Sequence, residues 1–291
     1  MTSEALHIPR ILRALCDDAA IFPPGLVPLA DAVRAHRAHE RSEHSALVGP
    51  LVLSVASLAA LPALVADLGP GDLRVSLTVP GPGALAGALA KAAEIPAVTV
   101  VSVEVPLPPG SADVVASLAV IERAVGGEDG PVVYLEIPRD DRRPAALEAL
   151  VGTRHRAKFR TGGTEAHLYP DAQELAAAIA ACAVLNVPFK ATAGLHHAIR
   201  NTDPETGFEQ HGFLNLLLAS HTAQCAADVA GLGRILEERD GAVIAAAIAD
   251  LGEERVDRAR AAFVSFGTCS IADPLTELQA LGLLTREGSA R

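Results

Sequence analysis

Residues 156–163 read Arg156-Ala-Lys-Phe-Arg-Thr-Gly-Gly163, a short strand-like run that ends in two glycines. A second run, Val187-Pro-Phe-Lys-Ala-Thr-Ala-Gly194, has the same form, with a lysine followed closely by threonine and glycine. Successive side chains of a strand point to opposite faces, so each lysine shares a face with the residue two positions later. The neighbouring phenylalanines point the other way, against outer helices. The two runs therefore predict neighbouring strands whose lysines face one interior.

Similar apolar runs alternate with Ala/Leu-rich helical patterns along the whole chain. We expect strands at Ala19–Phe22, Leu47–Val55, Leu73–Val79, Val98–Val105, Pro131–Ile137, Ala157–Thr161, Val187–Ala193 and Ala262–Ser270. We expect helices over about 29–43, 57–68, 83–94, 111–126, 141–151, 171–184, 211–238 and 273–284. Strands that are apolar almost throughout are typical of parallel strands buried on both faces. Eight strand–helix units predict an α/β fold, a (β/α)8 TIM barrel formed as one domain over 1–291.

A doubly wound open sheet is the structural alternative, but no GxGxxG or GxxxxGK[ST] motif supports a nucleotide-binding version of it. The connection after the seventh strand is unusually long, because residues 194–261 occupy a place where one helix would need far fewer. Four of the ten histidines fall in this segment. Long polar loops on a rigid barrel usually act as lids or binding elements, so we expect an extended loop or helical insertion.

Composition narrows the function classes. The net charge is −11 without any Lys/Arg run, which argues against binding of a nucleic-acid backbone. The N-terminus has no apolar signal core, and the alanine-rich runs are broken by Asp, Glu, Gly or Pro, so no membrane association is expected. Four scattered cysteines disfavour a disulfide framework or structural zinc site. We expect a cytoplasmic protein with a small-molecule substrate, and the Ala/Leu-rich helices leave room for a homo-oligomer.

Lysine is scarce, with three residues against 21 arginines, so a retained lysine suggests chemistry that a guanidinium cannot perform. Lys91 lies in an alanine-rich helical run and is interpreted as a surface charge. The active site of a barrel lies at the carboxyl ends of its strands, where we therefore look for polar residues. The expected strands bring there Asp17, Asp18, Ser76, Thr78, Glu104, Glu136, Lys158, Arg160, Lys190, Thr192, Ser265 and Gly267.

These charges suggest carbonyl chemistry. A lysine beside another cation in an apolar pocket has a lowered pKa, and its neutral amine can attack a carbonyl to form a Schiff base. Glu104 is a candidate for moving protons, and Glu136 is the second carboxylate that balances the cations. The alternative is that Lys158, Lys190 and their partners form a salt-bridge network with no chemical role.

Three short motifs lie at the ends of the last three expected strands. They read Lys158-Phe-Arg-Thr161-Gly162, Lys190-Ala-Thr-Ala193-Gly194 and Gly267-Thr268-Cys269-Ser270. In order and spacing they resemble the class I aldolases of the deoxyribose-phosphate aldolase kind. That family is a (β/α)8 barrel with a Schiff-base lysine on strand six and a second lysine on strand seven.

The resemblance implies a lyase in which Lys158 forms the imine and Lys190 lowers its pKa, with no cofactor. Glu104 is the counterpart of the family's acid/base aspartate on strand four. Gly267, Thr268 and Ser270 would cradle a phosphate or carboxylate ahead of a helix N-terminus. The candidate substrate-binding residues are Asp18, Arg160, Thr161, Thr192, His196, His197, His211, Asn215, Gly267, Thr268 and Ser270.

Other functions remain open from the sequence. His196, His197 and His211 with a carboxylate could bind a divalent metal for lyase, isomerase or hydrolase chemistry, although adjacent histidines diverge and no HxH or HExxH motif occurs. His211 and Asn215, four residues apart on a helix, fit a lid or a substrate contact better. Cys269 is either a nucleophile near a helix N-terminus or a buried structural residue. A non-enzymatic binding barrel is the last alternative.

Overall fold

The computed structural model describes residues 6–108, 113–127, 129–226 and 228–286, which form a closed barrel of eight parallel strands. Each strand pairs with its neighbours in chain order, and the last pairs with the first, so the barrel sheet has no open edge. Helices connect the successive strands. The predicted (β/α)8 TIM barrel is confirmed, and the doubly wound open sheet is wrong.

The barrel strands are numbered here in chain order. They are β1 Cys16–Asp18, β2 Val48–Ser54, β3 Leu73–Thr78, β4 Val98–Pro106, β5 Val132–Glu136, β6 Arg156–Arg160, β7 Phe189–Thr192 and β8 Phe263–Thr268. Outside the barrel, Leu6–His7 pairs antiparallel with Thr285–Arg286 near the two ends of the chain. All strands but β1 lie within the predicted runs or differ from them by a residue at one end.

The first strand corrects the sequence prediction. The expected strand Ala19–Phe22 is a turn, in which the Phe22 amide donates to the Ala19 carbonyl at 2.9 Å. The strand is instead Cys16–Asp18, which is buried at all three positions. Two adjacent aspartates disfavour a barrel strand on composition alone. Their burial is tolerated because each carboxylate meets a cationic partner, Lys190 for Asp17 and His36 for Asp18.

The helices are also numbered in chain order. They are α1 Leu29–Glu40, α2 Leu61–Leu64, α3 Leu85–Ala93, α4 Val114–Val125, α5 Arg143–Glu148, α6 Ala172–Leu185, α7 Phe213–Ala223, α8 Val229–Glu237, α9 Gly241–Ala249, α10 Glu253–Ala262 and α11 Ala272–Ala280. Asp171 caps α6 by accepting from the Glu174 amide at 2.7 Å, which confirms the helix start read from the sequence. The start of the helix expected over 111–126 falls partly on 111–112, outside the described residues.

Two other predicted helices differ from the structure. The pattern over 57–68 yields a 3-10 turn at Val55–Ala59 and the single turn of α2. The pattern over 211–238 yields two helices, α7 and α8. A new helix begins after Asp228 because its carboxylate accepts hydrogen bonds from the first-turn amides of α8.

The segment 194–261 contains a short hairpin followed by α7 to α10. The hairpin pairs Asn201–Thr202 with Glu209–Gln210 in antiparallel fashion, and its connecting loop lines a cavity at the barrel mouth. Helix α7 packs against β8, where the Phe213 and Phe266 rings stack with centroids 4.5 Å apart. The segment therefore supplies both a cover for the mouth and part of the outer helical layer.

Aromatic side chains fill the space outside β6, β7 and β8. Phe159 and Phe189 are buried and meet edge to face at 5.2 Å, and Phe189 also contacts Phe263 at 5.3 Å. Because side chains alternate along a strand, this outward packing turns Lys158 and Lys190 toward the barrel interior. The predicted orientation of the two phenylalanines is confirmed.

One described stretch, Ala166–Leu185, is long and apolar enough to cross a bilayer by length and composition, with a mean hydropathy of 1.2. It comprises a 3-10 turn and α6, and 44% of it is buried against the rest of the protein. Buried alanines of α6 pack into the barrel's outer layer. Part of this stretch is therefore enclosed by the fold.

Candidate active site

Two lysines occupy paired positions on neighbouring strands. In the register of β6 and β7, Lys158 lies opposite Lys190, and Arg160 lies opposite Thr192. Arg160 and Thr192 are the last residues of β6 and β7, at the end where parallel barrels carry their active sites, and each lysine lies two residues earlier on the same face. The structure thus brings together four residues that the sequence placed in the candidate site.

A chain of buried charges connects the two lysines. Lys158 Nζ donates to Glu104 Oε2 at 2.7 Å and pairs with Glu136 Oε2 at 3.0 Å. Lys190 Nζ donates to the other Glu104 oxygen at 2.7 Å and to Asp17 Oδ2 at 2.5 Å. Glu104 therefore bridges both ammonium groups. Its single carboxylate fixes the distance between two side chains that would otherwise repel each other.

The Lys190 end of this chain is sealed. Lys190 is completely buried, and the Ser265 hydroxyl donates to its partner Asp17 at 2.9 Å. The Tyr134 ring lies below, 5.0 Å from Lys190 Nζ to its centroid, in a cation–π contact. Tyr134 in turn accepts a hydrogen bond from Arg156 at 3.0 Å. Every side of this ammonium group is occupied by protein.

The Lys158 end opens into a cavity of about 650 Å³ at the barrel mouth. Lys158, Glu104, Arg160 and Thr192 line it, whereas Lys190 does not. The remaining wall consists of Ala19, Phe22, Pro23, Pro24, Val52, Thr78, Gly163, Thr164, Leu168, Tyr169, Ala193, Gly194, His196, Asp203, Thr206, Phe208, Gln210, Gly267 and Cys269. A mostly apolar wall with a few charged groups is typical of a pocket for a small molecule.

The pKa of Lys158 corrects the sequence prediction. Burial by itself lowers this pKa, but the carboxylates of Glu104 and Glu136 outweigh burial and raise it above the usual value. The pKa of Lys190 is likewise raised, because Asp17 and Glu104 outweigh its desolvation. The expectation that Lys190 lowers the pKa of Lys158 is wrong for the resting protein, because carboxylates lie between the two ammonium groups.

The three carboxylates of the network differ in their proton affinity. Burial raises the pKa of Glu104, but Lys158 and Lys190 outweigh it and lower that pKa to about 2. Burial also opposes ionisation of Glu136, where Lys158 and Arg160 prevail and lower the pKa. For Asp17 burial dominates over Lys190 and raises the pKa. Glu104 is therefore firmly held as a carboxylate.

The ends of β6 and β7 are locked together. Thr161 donates from Oγ1 to the Ala193 carbonyl at 2.6 Å, and Thr161 is fully buried. A side chain at Gly162 would collide with Gly194, since a Cβ there would lie 2.7 Å from the Gly194 Cα. Thr161 thus holds the two strand ends together and does not line the cavity, while the two glycines permit this close approach.

The predicted anion cradle after β8 is not open to a ligand. Thr268 is buried and donates from Oγ1 to the Ser270 carbonyl at 2.9 Å. The Ser270 hydroxyl accepts from the Asp273 amide at 3.2 Å, so it already caps the first turn of α11. Neither residue lines the cavity, whereas Gly267 does. The Thr268 hydroxyl and the Ser270 carbonyl are thus engaged with each other, and of the predicted cradle the structure brings only Gly267 to the cavity wall among the described residues.

The three histidines of the proposed metal site have separate partners. His196 Nδ1 lies 3.4 Å from Cys269 Sγ, and His197 Nδ1 lies 2.6 Å from Glu277 Oε1. Buried His211 contacts the Pro170 carbonyl through Nε2 at 2.8 Å. Across the described residues no group of three His, Cys, Asp or Glu side chains is arranged to hold a metal. The predicted convergence of these histidines is wrong.

His211 and Asn215 are structural. Asn215 is fully buried, accepts from the Arg200 amide at 3.0 Å and donates to the Ile235 and Glu238 carbonyls, both at 2.8 Å. Burial lowers the pKa of His211 to about 4, so this ring is neutral near pH 7. Neither residue lines the cavity, so the structure does not bring these two predicted contact residues to the site. His197 also lies outside the lining, leaving His196 as the cavity histidine.

Asp18 faces away from the cavity. Its Oδ2 lies 3.0 Å from Nδ1 of His36 on α1, and both side chains are buried. Although burial opposes charge on His36, Asp18 and Glu40 raise its pKa to about 9. Asp18 thus attaches α1 to the barrel, and the structure does not bring it to the cavity wall. Its neighbour Asp17, on the opposite face of the strand, is the aspartate that joins the charge network.

Cys269 is half-buried in the cavity wall rather than fully enclosed. Burial, followed by the nearby Asp273 carboxylate, raises the pKa of its thiol. A raised pKa disfavours the thiolate that a nucleophilic cysteine needs.

Cavity residues that the sequence did not single out include Tyr169 and Phe208, whose rings meet at 5.5 Å. In the sequence, Phe208 could have been noticed as an aromatic residue within the histidine-bearing segment 194–261.

Comparisons with protein-family models, curated proteins and solved structures give no match to this chain.

Proposed function

We propose that this protein is a class I aldolase-like lyase in which Lys158 forms a Schiff base with a small carbonyl substrate. The observation that carries the proposal is the position of Lys158, which lines the cavity while paired with two carboxylates. Its register partner Lys190 lies sealed behind Glu104. The placement of Glu104 on β4, Lys158 on β6 and Lys190 on β7 matches the order seen in the resembling family.

The first step is attack by Lys158 Nζ on the substrate's carbonyl carbon. The ammonium first gives a proton to a neighbouring carboxylate, because only the neutral amine is nucleophilic. Addition gives a carbinolamine, whose hydroxyl group takes up a proton and leaves as water. One ammonium and one carbonyl thus give one iminium and one water. The positive charge at Nζ is the same before and after the step.

This balance reconciles a raised lysine pKa with imine chemistry. Glu104 and Glu136 stabilise the positive charge of the iminium as they stabilise that of the ammonium. An ammonium has three N–H donors and an iminium formed on it has one, so a carboxylate is released when the imine forms. Glu104 keeps Lys190 as a partner, and we therefore assign Glu136 as the carboxylate that is released from Lys158.

Glu136 then moves protons on the substrate. Its side chain is 23% exposed, against 3% for Glu104, and it lies 3.0 Å from Lys158 Nζ, beside the cavity wall that Glu104 and Lys158 line. In C–C cleavage Glu136 takes the proton of the β-hydroxyl group while the electron pair of the C–C bond moves to the iminium. An aldehyde leaves and an enamine remains. Protonation of that enamine and hydrolysis of the imine release the second product and restore the lysine.

The proposal includes the substrate class, cofactor, compartment and partners expected from the sequence. The substrate is a small molecule, sized to the cavity of about 650 Å³, and the imine itself supplies the electron sink, so no cofactor enters the scheme. The compartment is the cytoplasm, without nucleic-acid or membrane partners. A homo-oligomer remains compatible with this scheme, because no step uses a second copy.

The test is reductive trapping with a panel of aldehydes and 2-oxo acids. Borohydride reduces an imine to a stable secondary amine, so the intact mass rises by the substrate minus one oxygen. We expect trapping in the wild type and in Lys91→Arg, and none in Lys158→Arg, because a guanidinium cannot form the imine. Lys91 is a matched control, since it is the remaining lysine of the chain and lies on outer helix α3.

The same series separates the proposal from a binding barrel. A barrel that only binds a ligand shows no borohydride-dependent mass change, in the wild type or in Lys158→Arg. If circular dichroism shows that Lys158→Arg is folded and it is still trapped as fully as the wild type, the Schiff-base assignment of Lys158 is overturned.

A further inference from the structure

The Arg160 guanidinium has fewer partners than those of Arg139, Arg143 and Arg260. Arg139 and Arg143 donate to Glu174, and Arg260 donates to the Phe263 carbonyl at 2.7 Å. Arg160 donates no hydrogen bond within residues 6–108, 113–127, 129–226 and 228–286. Its one ionic contact is a loose one, from Nε to Glu136 Oε1 at 3.5 Å.

The N–H groups of the Arg160 guanidinium are accessible from the cavity. Arg160 is the last residue of β6, lines the cavity, and its side chain is 41% exposed. Lys158 lies two residues earlier on the same face of the strand, which places the two Cα atoms about 7 Å apart. A group bound to the guanidinium is therefore within a few bonds of a carbonyl carbon held at Lys158.

Hydroxyl groups surround the same part of the cavity. Thr192 is the cross-strand neighbour of Arg160, and Thr164 follows β6 at the mouth. In the described part of the chain the side-chain oxygens of Thr164 and Thr192 form no hydrogen bond, although both residues line the cavity. A guanidinium and unpartnered hydroxyls can together surround an oxyanion.

We propose that Arg160 binds an anionic group of the substrate, so that the substrate is a small carbonyl compound bearing a carboxylate or a phosphate. The carbonyl half of this statement rests on the proposed Schiff-base function, and the anionic half rests on Arg160 itself. The planar guanidinium fork matches two oxygens of either anion, which an ammonium group cannot do.

Of the three cations in the charge network, Arg160 has the longest ion pair. Asp17, Glu104 and Glu136 balance Lys158, Lys190 and Arg160, yet Glu136 is shared between Lys158 at 3.0 Å and Arg160 at 3.5 Å. The ion pair between Arg160 and Glu136 is therefore the weaker of the two. A ligand oxyanion supplies the hydrogen bonds that Glu136 does not, without breaking the contact that holds Lys158.

The test compares three classes of probe in the trapping reaction. Pyruvate and glyoxylate carry a carboxylate, glycolaldehyde phosphate carries a phosphate, and acetaldehyde and glycolaldehyde are neutral. We expect one anionic class to half-saturate trapping at a concentration about 10- to 100-fold below the neutral class, the effect of a charged hydrogen bond. Arg160→Gln removes this preference, and Arg160→Lys restores part of it.

The control is Arg34→Gln, which removes an arginine that is 75% exposed on α1 and does not line the cavity. It keeps the wild-type preference. A second readout needs no imine: inorganic phosphate or oxalate raises the thermal unfolding midpoint of the wild type and of Arg34→Gln, but not of Arg160→Gln.

The outcomes separate the two proposals. If no carbonyl compound is trapped while Arg160→Gln abolishes stabilisation by phosphate or oxalate, the anion site stands and the Schiff-base function falls. If trapping occurs with equal preference for anionic and neutral probes, and the Arg160 variants change neither readout, the anion site is overturned while the Schiff-base function stands. If neither readout responds, both fall.

Discussion

The two ends of the charge network place the same residue type in opposite situations. Lys158 and Lys190 are register partners on adjacent strands and share Glu104, yet one lines a cavity and the other is completely enclosed. The difference comes from their neighbours, since Asp17, Ser265 and Tyr134 close over Lys190. A lysine in a barrel mouth is therefore reactive or structural according to what covers its ammonium group.

The largest expected effect is on stability at the sealed end. Lys190→Met leaves Asp17 and Glu104 buried without a cation between them, and breaking a buried pair costs about 3–5 kcal/mol in unfolding free energy. Lys158→Met costs less, because Glu104 keeps Lys190 as a partner and the Glu136 side chain is 23% exposed. Urea unfolding of both variants measures the difference. Equal losses would contradict the contrast between a sealed and an open end.

The pH dependence of Glu104 gives a smaller but directional effect. Its folded-state pKa of about 2 lies below the ordinary value of 4.5, so its contribution to stability is complete above the ordinary pKa and is lost as the pH falls. We expect Glu104→Gln to be less stable than the wild type near pH 6. The gap narrows as the pH falls from 4.5 toward 2.

Urea titrations at several pH values measure that gap. Glu94→Gln is a suitable control, because Glu94 is an exposed residue that follows α3, outside the network. A gap that stays constant or widens on acidification would show that the Glu104 carboxylate is not held ionised by the two lysines.

The smallest expected effect concerns the Ser265 hydroxyl. Ser265→Ala removes one donor to Asp17 while leaving the contact with Lys190, so the loss in unfolding free energy is about 1 kcal/mol. Reductive trapping at Lys158 is expected to persist, because Ser265 touches the sealed end only. A loss of trapping without a loss of stability would show that the two ends are coupled more tightly than the contacts indicate.

The sequence predicted those parts of the molecule that depend on periodicity. Apolar runs located seven strands, and alternation correctly turned Lys158 and Arg160 one way and Phe159 the other. It failed where local polar groups find distant partners. The strand β1 was missed because it contains Asp17 and Asp18, which look unsuited to a buried strand. The partner that makes the burial of Asp17 tolerable, Lys190, is far away in the chain.

In the site, too, the residues placed by strand periodicity were predicted and those held by loop and helix contacts were not. Strand-end lysines and glutamates were found, because strand ends converge in any barrel. The roles of Thr268, Ser270, His211 and Asn215 were not predictable, since each satisfies its polar groups through loop and helix contacts that no spacing rule specifies. The direction of the Lys158 pKa was missed for a related reason, because it depends on two carboxylates lying closer than the second lysine.

The central claim is that the open lysine is the one that reacts. Peptide mapping of the wild-type protein after borohydride reduction with a trapped carbonyl compound tests it most directly, since all three lysines compete in one sample. We predict the reduced adduct on the peptide containing Lys158, with Lys190 and Lys91 unmodified. An adduct on Lys190, or equal labelling of Lys158 and Lys91, would contradict the account.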